Sequence, residues 1–219
     1  MYWSDSPGLS ITVGGVMDKV VVIDFDECFC SVNSFRYWIV FSFFILLVTL
    51  RLHALTVFSH VVLERFRGRV DRVDMKRGVL SVTEDLPKWA VALFCQFLQL
   101  FTNSTVSRMI SSDRFEGASV VLCTAAPACY VEPFAKRFGF SHVFATSSVK
   151  CEGWKENFGV QKLNSLTEHY GNDMTIFAVV TDHHDDLPIL EKAELRYIVR
   201  PTAATLQALS NRFDYEVIS

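Results

Sequence analysis

The sequence predicts an α/β protein, with a Rossmann-like parallel sheet as its core and an inserted all-helical cap. Two observations support this. In residues 118–201, short apolar runs rich in β-branched residues alternate with helical patterns, as in a parallel sheet with helices on both faces. One more such run, Val20–Ile23, stands near the start of the chain, and residues 35–112, which have a helical pattern throughout, separate it from the others.

The predicted domain division follows from this pattern. A chain of 219 residues is long enough for one core domain and a smaller inserted one. We expect residues 1–34 and 113–219 to form the core and residues 35–112, called the insert below, to form the helical cap. Residues 1–17 show no signal-peptide pattern and no recognisable chemistry, so we expect a loose lead-in there.

Charge is divided unevenly between these two parts. The whole chain carries a formal charge of −3, whereas the insert holds ten Lys or Arg and five Asp or Glu and therefore carries +5. A basic unit of this kind indicates an anionic partner. The six cysteines show no paired CxxC pattern, which favours reduced thiols in a cytosolic protein over a disulfide frame or a zinc site.

The first predicted strand runs into two carboxylates, those of Asp24 and Asp26. Because side chains alternate along a strand, both should point the same way at the carboxyl end, where open α/β sheets bind ligands. Two carboxylates suit a hard cation such as Mg²⁺, and one of them could act as a nucleophile or transfer a proton. A strand followed by an ordinary Asx-type turn is the alternative without a function.

The insert opens with a nearly unbroken apolar stretch, Tyr37–Leu50, flanked by Arg36 and Arg51. Its fourteen residues fall short of the roughly 20 that a membrane-spanning helix needs. A core helix of the cap and a helix that lies on a membrane both remain open. Two further helices are predicted at 89–101 and 103–111.

A basic run follows the apolar stretch. It suits either a solvated face or contact with anionic lipid head groups. We expect no nucleic-acid partner, because aromatic residues are not interleaved and no nucleic-acid-binding motif is present. The run consists of Arg65, Arg67, Arg69, Arg72, Lys76 and Arg77.

After the insert, strands are predicted at 118–124, 143–146, 175–181 and 196–199, and helices at 128–138, 160–170 and 186–193. Gly139 and Gly171 follow two of these helices as C-cap signals, and Pro133 is expected early in its helix, where proline costs least. Polar side chains mark several element ends: Thr124 ends a strand, Lys162 opens a helix, and Asp182, Asp185 and Asp186 follow strand 175–181.

An acid pair, a hydroxyl, a lysine and an acid cluster, in that order, resemble the haloacid dehalogenase (HAD) superfamily of aspartate-nucleophile phosphohydrolases. The resemblance covers about residues 20–34 and 118–201, and the insert follows the first motif as it does in the phosphoserine-phosphatase-like branch. It implies a HAD-like core and a Mg²⁺-dependent phosphomonoester hydrolase that acts through an aspartyl-phosphate intermediate.

The resemblance also implies roles for the first acid pair. Asp24 would attack phosphorus, which splits one difficult displacement into two easier ones. Asp26 would protonate the leaving alkoxide and later accept a proton from the hydrolytic water. Mg²⁺ would be held by Asp24, the backbone carbonyl of Asp26, and Asp182.

Phosphate-binding roles follow in the same way. The hydroxyl of Thr124 and the backbone N–H of Ala125 would hold phosphate oxygens, and Lys162 would supply a fixed positive charge. Asp186 would orient Lys162 or a metal-bound water, with Asp185 as a substitute.

Some positions depart from the family pattern. Cys28 stands where Thr or Ser is usual, so we expect the turn packing to survive and a hydroxyl hydrogen bond to be lost. Thr181, His183 and His184 replace glycine and a small polar residue, which leaves two hypotheses: a second metal, or neighbours that tune the charge of the site. Lys155 competes with Lys162 for the role of the phosphate-binding lysine.

The resemblance implies a phosphatase for a small phosphorylated substrate such as phosphoserine, and we expect it to be cytoplasmic. The apolar and basic insert also resembles that of the phosphatidylglycerophosphatase-like members, which keeps a lipid-phosphate substrate open, with peripheral membrane contact through residues 36–77. Two further hypotheses are a non-catalytic binding protein on the same fold and phosphotransfer to an acceptor that is not water.

Overall fold

The computed structural model describes residues 19–219 and contains a parallel sheet of six strands in the order β3-β2-β1-β4-β5-β6. The predicted lead-in of residues 1–17 lies outside the described residues. The predicted fold class is confirmed. The strands are β1 (Lys19–Ile23), β2 (Ser119–Pro127), β3 (His142–Thr146), β4 (Thr175–Thr181), β5 (Leu195–Val199) and β6 (Glu216–Ile218).

Helices cover both faces of this sheet. Five of them lie between β1 and β2, in the stretch that the sequence assigns to the insert. The helices are α1 (Ser34–Val48), α2 (Leu52–Phe66), α3 (Arg72–Thr83), α4 (Lys88–Gln99), α5 (Ser104–Ile110), α6 (Ala128–Ala135), α7 (Val160–Tyr170), α8 (Leu187–Leu190) and α9 (Ala203–Leu209).

The central strand β1 is buried on both faces, which explains its run of β-branched residues. Val21 and Ile23 pack into the apolar cluster that contains the insert helices and α6. Val20 and Val22 point the other way and pack with Leu166 of α7. Because β1 is packed between these two apolar clusters, its position is fixed. The residues that follow it therefore have a defined position at the carboxyl edge of the sheet.

The insert is packed on the core through aromatic side chains. Trp38 of α1 is fully buried, and its ring centroid lies 5.0 Å from that of Phe94 in α4 and 5.0 Å from that of Tyr130 in α6. Its indole N–H also donates to the hydroxyl of Thr83 at the end of α3, at 3.1 Å. No helix in residues 19–219 is long and apolar enough to cross a bilayer, in agreement with the short stretch seen in the sequence.

Several predicted boundaries are wrong. Helix α6 ends at Ala135, so Pro133 is its sixth residue of eight and costs one interior hydrogen bond close to the helix end. The helix predicted at 186–193 is a 3₁₀ turn over 184–186 followed by the single turn of α8. Strand β2 continues past Thr124 to Pro127.

Candidate active site

Asp24 stands directly after β1, and its backbone N–H donates to the carbonyl of Val180 at 2.9 Å, so the β1–β4 ladder holds it in place. Its carboxylate faces a cavity of about 80 Å³ at the carboxyl edge of the sheet. Residues from five separate stretches of the chain line this cavity: Asp24, Asp26, Thr124, Ala125, Phe158, Lys162, His183, Asp185 and Asp186.

Lys162 is the cation of this cavity. It lies in the first turn of α7, is 3% exposed, and places its Nζ atom 2.8 Å from Oδ1 of Asp24 and 2.7 Å from Oδ1 of Asp186. Burial alone would lower the pKa of Lys162, but the two carboxylates outweigh this and raise it. Lys162 is therefore a permanent positive charge, whereas the competing Lys155 is exposed and does not line the cavity.

Asp26 is held by the start of the insert. Its Oδ1 accepts a hydrogen bond at 2.8 Å from the backbone N–H of Ser34, the first residue of α1. The hydroxyl of Ser34 in turn contacts the phenol of Tyr130 at 2.9 Å. Burial raises the pKa of Asp26 above 3.8, and the hydrogen bonds from Ser34 oppose this only in part. A carboxyl with a raised pKa at this position can donate a proton to a leaving group.

Asp182 follows β4 and is crowded by other carboxylates. Burial, and then repulsion from Asp24 and Glu27, raise its pKa from 3.8 to about 8. For Asp24, burial also dominates and, with repulsion from Asp186, outweighs the pull of Lys162, so the pKa is raised to about 7. Buried oxygen ligands that repel one another fit a divalent hard cation such as Mg²⁺, which would offset this repulsion.

Thr124 and Ala125 lie where the register of β2 against β3 shifts, between Cys123 and Pro127. The side-chain oxygen of Thr124 accepts a hydrogen bond from the backbone N–H of Ala126 at 3.0 Å. The carbonyl of Ala125 accepts from Nζ of Lys76 at 2.6 Å, so this bulge is tied to the insert. The irregular backbone turns both residues toward the cavity instead of into the ladder.

Buried polar residues at this edge that carry no motif were not predicted. Asn157 donates through Nδ2 to the carbonyls of Thr124 (3.2 Å) and Phe144 (2.9 Å), which fastens the loop before α7 to the ends of β2 and β3. Glu156 accepts from Nζ of Lys76 at 2.6 Å and also pairs with Arg72 at 2.6 Å. The spacing of Arg72 and Lys76, four residues apart in a helix, was the available signal, but it could not identify a core carboxylate as the partner.

These contacts also correct the interpretation of the basic run. Lys76 is 3% exposed and faces the core, so it belongs neither to a solvated face nor to a lipid-binding surface. Arg67 and Arg69 are exposed, but both pair with Glu64. The run is therefore divided between a buried contact with the core and a partly neutralised surface.

The departures from the family pattern have structural explanations. The thiol of Cys28 is buried and donates to the carbonyl of Val180 at 3.4 Å, so a thiol hydrogen bond is present at this position. The hydroxyl of Thr181 donates to Oδ2 of Asp186 at 2.7 Å. His183, His184 and Asp185 place ligand atoms within 4.8 Å of one another, and the second-metal hypothesis stays a prediction.

Known proteins resemble this chain in sequence pattern and in fold. A family described as haloacid dehalogenase-like hydrolase matches residues 21–191. No curated protein matches the chain. Similar solved structures include a protein of unknown function from Bordetella pertussis Tohama I, at 16% identity and a TM-score of 0.70, covering 93% of this chain and 99% of that one.

Two further structures share the fold. A phosphoserine phosphohydrolase-like protein from Francisella tularensis subsp. tularensis SCHU S4 has 16% identity and a TM-score of 0.56, covering 91% of this chain and 94% of that one. A probable phosphoserine phosphatase from Vibrio cholerae has 13% identity and a TM-score of 0.60, covering 88% of this chain and 60% of that one.

Proposed function

The chain belongs to the haloacid dehalogenase-like hydrolases, and we propose that within this family it is a Mg²⁺-dependent phosphomonoesterase that acts through an aspartyl-phosphate. The observation that carries the proposal is the salt bridge of Lys162 with both Asp24 and Asp186 in one buried cavity. These three residues are distant in sequence and meet there beside Asp26 and Thr124. Together the five residues provide a nucleophile, a proton donor and anion-binding groups.

In the proposed first step, a carboxylate oxygen of Asp24 attacks phosphorus and the bond from phosphorus to the leaving oxygen breaks. Asp26 donates its proton to that oxygen, which departs as an alcohol. In the second step, Asp26 takes a proton from water, and the hydroxide attacks phosphorus and releases phosphate and free Asp24. Lys162, the hydroxyl of Thr124 and the backbone N–H of Ala125 hold the phosphoryl oxygens in both steps.

The metal site of this proposal consists of Asp24, Asp182 and the carbonyl of Asp26. A bound Mg²⁺ would supply the positive charge that favours the ionised form of both side chains and that offsets the charge of the phosphoryl group. The raised pKa values of Asp24 and Asp182 support this assignment, because a further cation beside both carboxyls would favour their ionised forms.

A compact substrate suits the small cavity, and phosphoserine is the first to test, since two of the similar structures carry that substrate in their names. A lipid phosphate is the second candidate. The observation that favours it is a separate cavity of about 360 Å³ beside the loop that carries Asp26, lined by Glu27, Val32, Asn33, Arg36, Tyr37 and Val40.

The test is phosphate release from phosphoserine, a sugar phosphate, a nucleoside monophosphate and micellar phosphatidylglycerophosphate, with Mg²⁺ or with EDTA. The Asp24→Asn variant should fold and lose turnover of every substrate. The exposed Asp214→Asn should retain turnover. Turnover that persists in EDTA or in Asp24→Asn would contradict the mechanism. A folded wild type that binds phosphate esters and hydrolyses none would favour a non-catalytic binding protein.

A further inference from the structure

Exposed apolar side chains are concentrated in the insert. Among residues 19–219, nineteen large apolar side chains are exposed, and fourteen of them lie in the insert. Single exposed apolar residues are normal on any protein, but a concentration of them marks an interaction surface. The insert therefore has an outer side that the rest of the described chain does not cover.

These side chains form stripes on two helices. In α1, Tyr37, Val40, Phe44 and Leu47 recur at helical spacing and are 40–57% exposed. In α4, Leu93 and Leu100 lie on the same side as Phe97, whose ring centroid is 5.5 Å from that of Tyr37. The two stripes thus adjoin, and together these residues are called the apolar face.

The face ends in an equally apolar corner between α1 and α2. Val48, Leu50 and Leu52 are 72%, 76% and 60% exposed there. These values exceed those of the α1 stripe, so the corner is more exposed than the stripe. A corner of this kind is suited to insertion among lipid acyl chains.

The charged side chains of residues 34–63 have one sign, although the acidic Glu27 lines the adjacent cavity. This stretch contains no Asp or Glu, and it carries the exposed Arg36 in the first turn of α1 and the exposed Arg51 after the end of α1. Lys88, also exposed, begins α4. A second copy of the chain that presented the same face would bring these cations together, whereas an anionic surface would complement them.

We propose that the apolar face docks on an anionic lipid bilayer, with α1 lying in the plane of the interface. The 360 Å³ cavity lined by Arg36, Tyr37 and Val40 would then open at the membrane surface, next to the loop that carries Asp26. The carrier of this contact is α1 and not the basic run at 65–77, part of which faces the core. Access of a lipid phosphate through this cavity rests on the proposed function, but the docking itself does not.

The test is flotation of the full chain with phosphatidylcholine vesicles, with and without about one-third phosphatidylglycerol. We expect binding that requires phosphatidylglycerol and that weakens at high salt, because salt screens the attraction of Arg36 and Arg51 to the anionic lipid. Leu47→Glu, which places a charge in the face, should reduce the bound fraction at least about tenfold. The matched control is Leu206→Glu on α9, since Leu47 and Leu206 are 44% and 38% exposed on helices.

Circular dichroism of both variants shows whether they fold. Equal binding by the two folded variants, or no binding by the wild type, would overturn the proposal. A wild-type dimer that Leu47→Glu converts to a monomer, without vesicle binding, would instead assign the face to a second copy. Turnover of a soluble phosphate ester is measured in parallel, so that failure of docking and failure of the proposed activity are distinguished.

Discussion

At the scale of single residues, the site depends on which of two neighbouring acids meets Lys162. Asp186 is 5% exposed and contacts both Lys162 and the hydroxyl of Thr181. Asp185 is half-exposed and pairs with Nδ1 of His183 at 2.9 Å. The two adjacent carboxylates of this loop therefore have different partners. Asp186 belongs to a buried ion pair, and the half-exposed Asp185 contacts His183.

This difference predicts unequal effects of two matched substitutions. Asp186→Asn should lower kcat about 10–100-fold, because Lys162 loses the carboxylate that orients it toward Asp24. Asp185→Asn should lower kcat much less, because Asp185 lines the cavity but pairs with His183 and not with Lys162. Both are measured by phosphate release at saturating substrate. Equal losses in the two variants would contradict the assignment of Asp186 as the positioning residue.

The sequence could predict the residue types of the site but not every choice among neighbours. Asp24 and Asp26 followed from a strand-end position, because the alternation and termination of a buried strand are visible in sequence. Thr124 was also expected at a strand end, but β2 continues to Pro127. The choice between Asp186 and Asp185 stayed open, since a rotation of the loop by one residue exchanges them. Glu156 and Asn157 lie in an irregular loop whose path depends on tertiary contacts, so no periodic signal marked them.

At the scale of elements, α3 connects the insert with the catalytic edge. Arg72, Lys76 and Leu80 lie on successive turns of the same side of this helix. The guanidinium of Arg72 lies 4.8 Å from the ring centroid of Phe158, and Lys76 reaches the carbonyl of Ala125. Leu80 faces a cavity of about 400 Å³ at the ends of β2 and β3. One helix face therefore contacts two residues that line the candidate active-site cavity, Phe158 and Ala125.

The buried pair of Lys76 and Glu156 makes this connection testable. Burial lowers the pKa of Lys76, and Glu156 opposes that shift, so each group depends on the other. Lys76→Met should cost about 3 kcal/mol of unfolding free energy in urea, because Glu156 would keep only Arg72 as a charged partner. The exposed Arg77→Met is the control and should change stability by no more than about 0.5 kcal/mol.

The double variant Lys76→Met/Glu156→Met isolates the coupling between the two residues. It should recover most of the loss, because replacement of a whole buried ion pair by apolar side chains is often neutral. If the double variant instead lost as much stability as Lys76→Met and Glu156→Met lose separately, added together, Lys76 and Glu156 would not interact.

How well the sequence predicted each helix or strand depended on the length and burial of that element. Strand β4 and helix α7 were predicted at their observed bounds, since each has a full apolar period and a clear end signal. Helix α9 and strand β6 were not predicted. β6 has three residues and, within residues 19–219, pairs only with β5, so its position depends on tertiary pairing more than on its own pattern.

At the scale of the whole molecule, function and stability oppose each other at the acid cluster. Asp24 and Asp182 have pKa values of about 7 and about 8 in the folded protein, against 3.8 for an unperturbed carboxyl. Between pH 3.8 and about 8, these two carboxyls therefore bind more protons in the folded state than in the unfolded state. By linkage, their contribution to the stability of the metal-free protein falls as pH rises through this window.

Asp182→Asn should weaken this pH dependence. The metal-free variant loses one of the crowded carboxylates, so its Tm at about pH 8 should exceed that of the wild type, and the difference should vanish below about pH 4, where both states of the wild type are protonated. Mg²⁺ at 100 times its Kd should stabilise the folded wild type by about 2.7 kcal/mol and so raise its Tm. It should leave the Tm of the variant nearly unchanged.

Calorimetry of both proteins in EDTA and in Mg²⁺, across this pH range, measures these shifts, with the exposed Asp173→Asn as the control for loss of one charge. A variant that is less stable than the wild type at about pH 8 would mean that the carboxylate of Asp182 is not repelled by Asp24. A full Mg²⁺ shift in the variant would place the ion elsewhere. We expect the substitution to stabilise the metal-free fold and to abolish the response to Mg²⁺. Both effects arise because folding brings together carboxylates that repel one another unless a cation is bound.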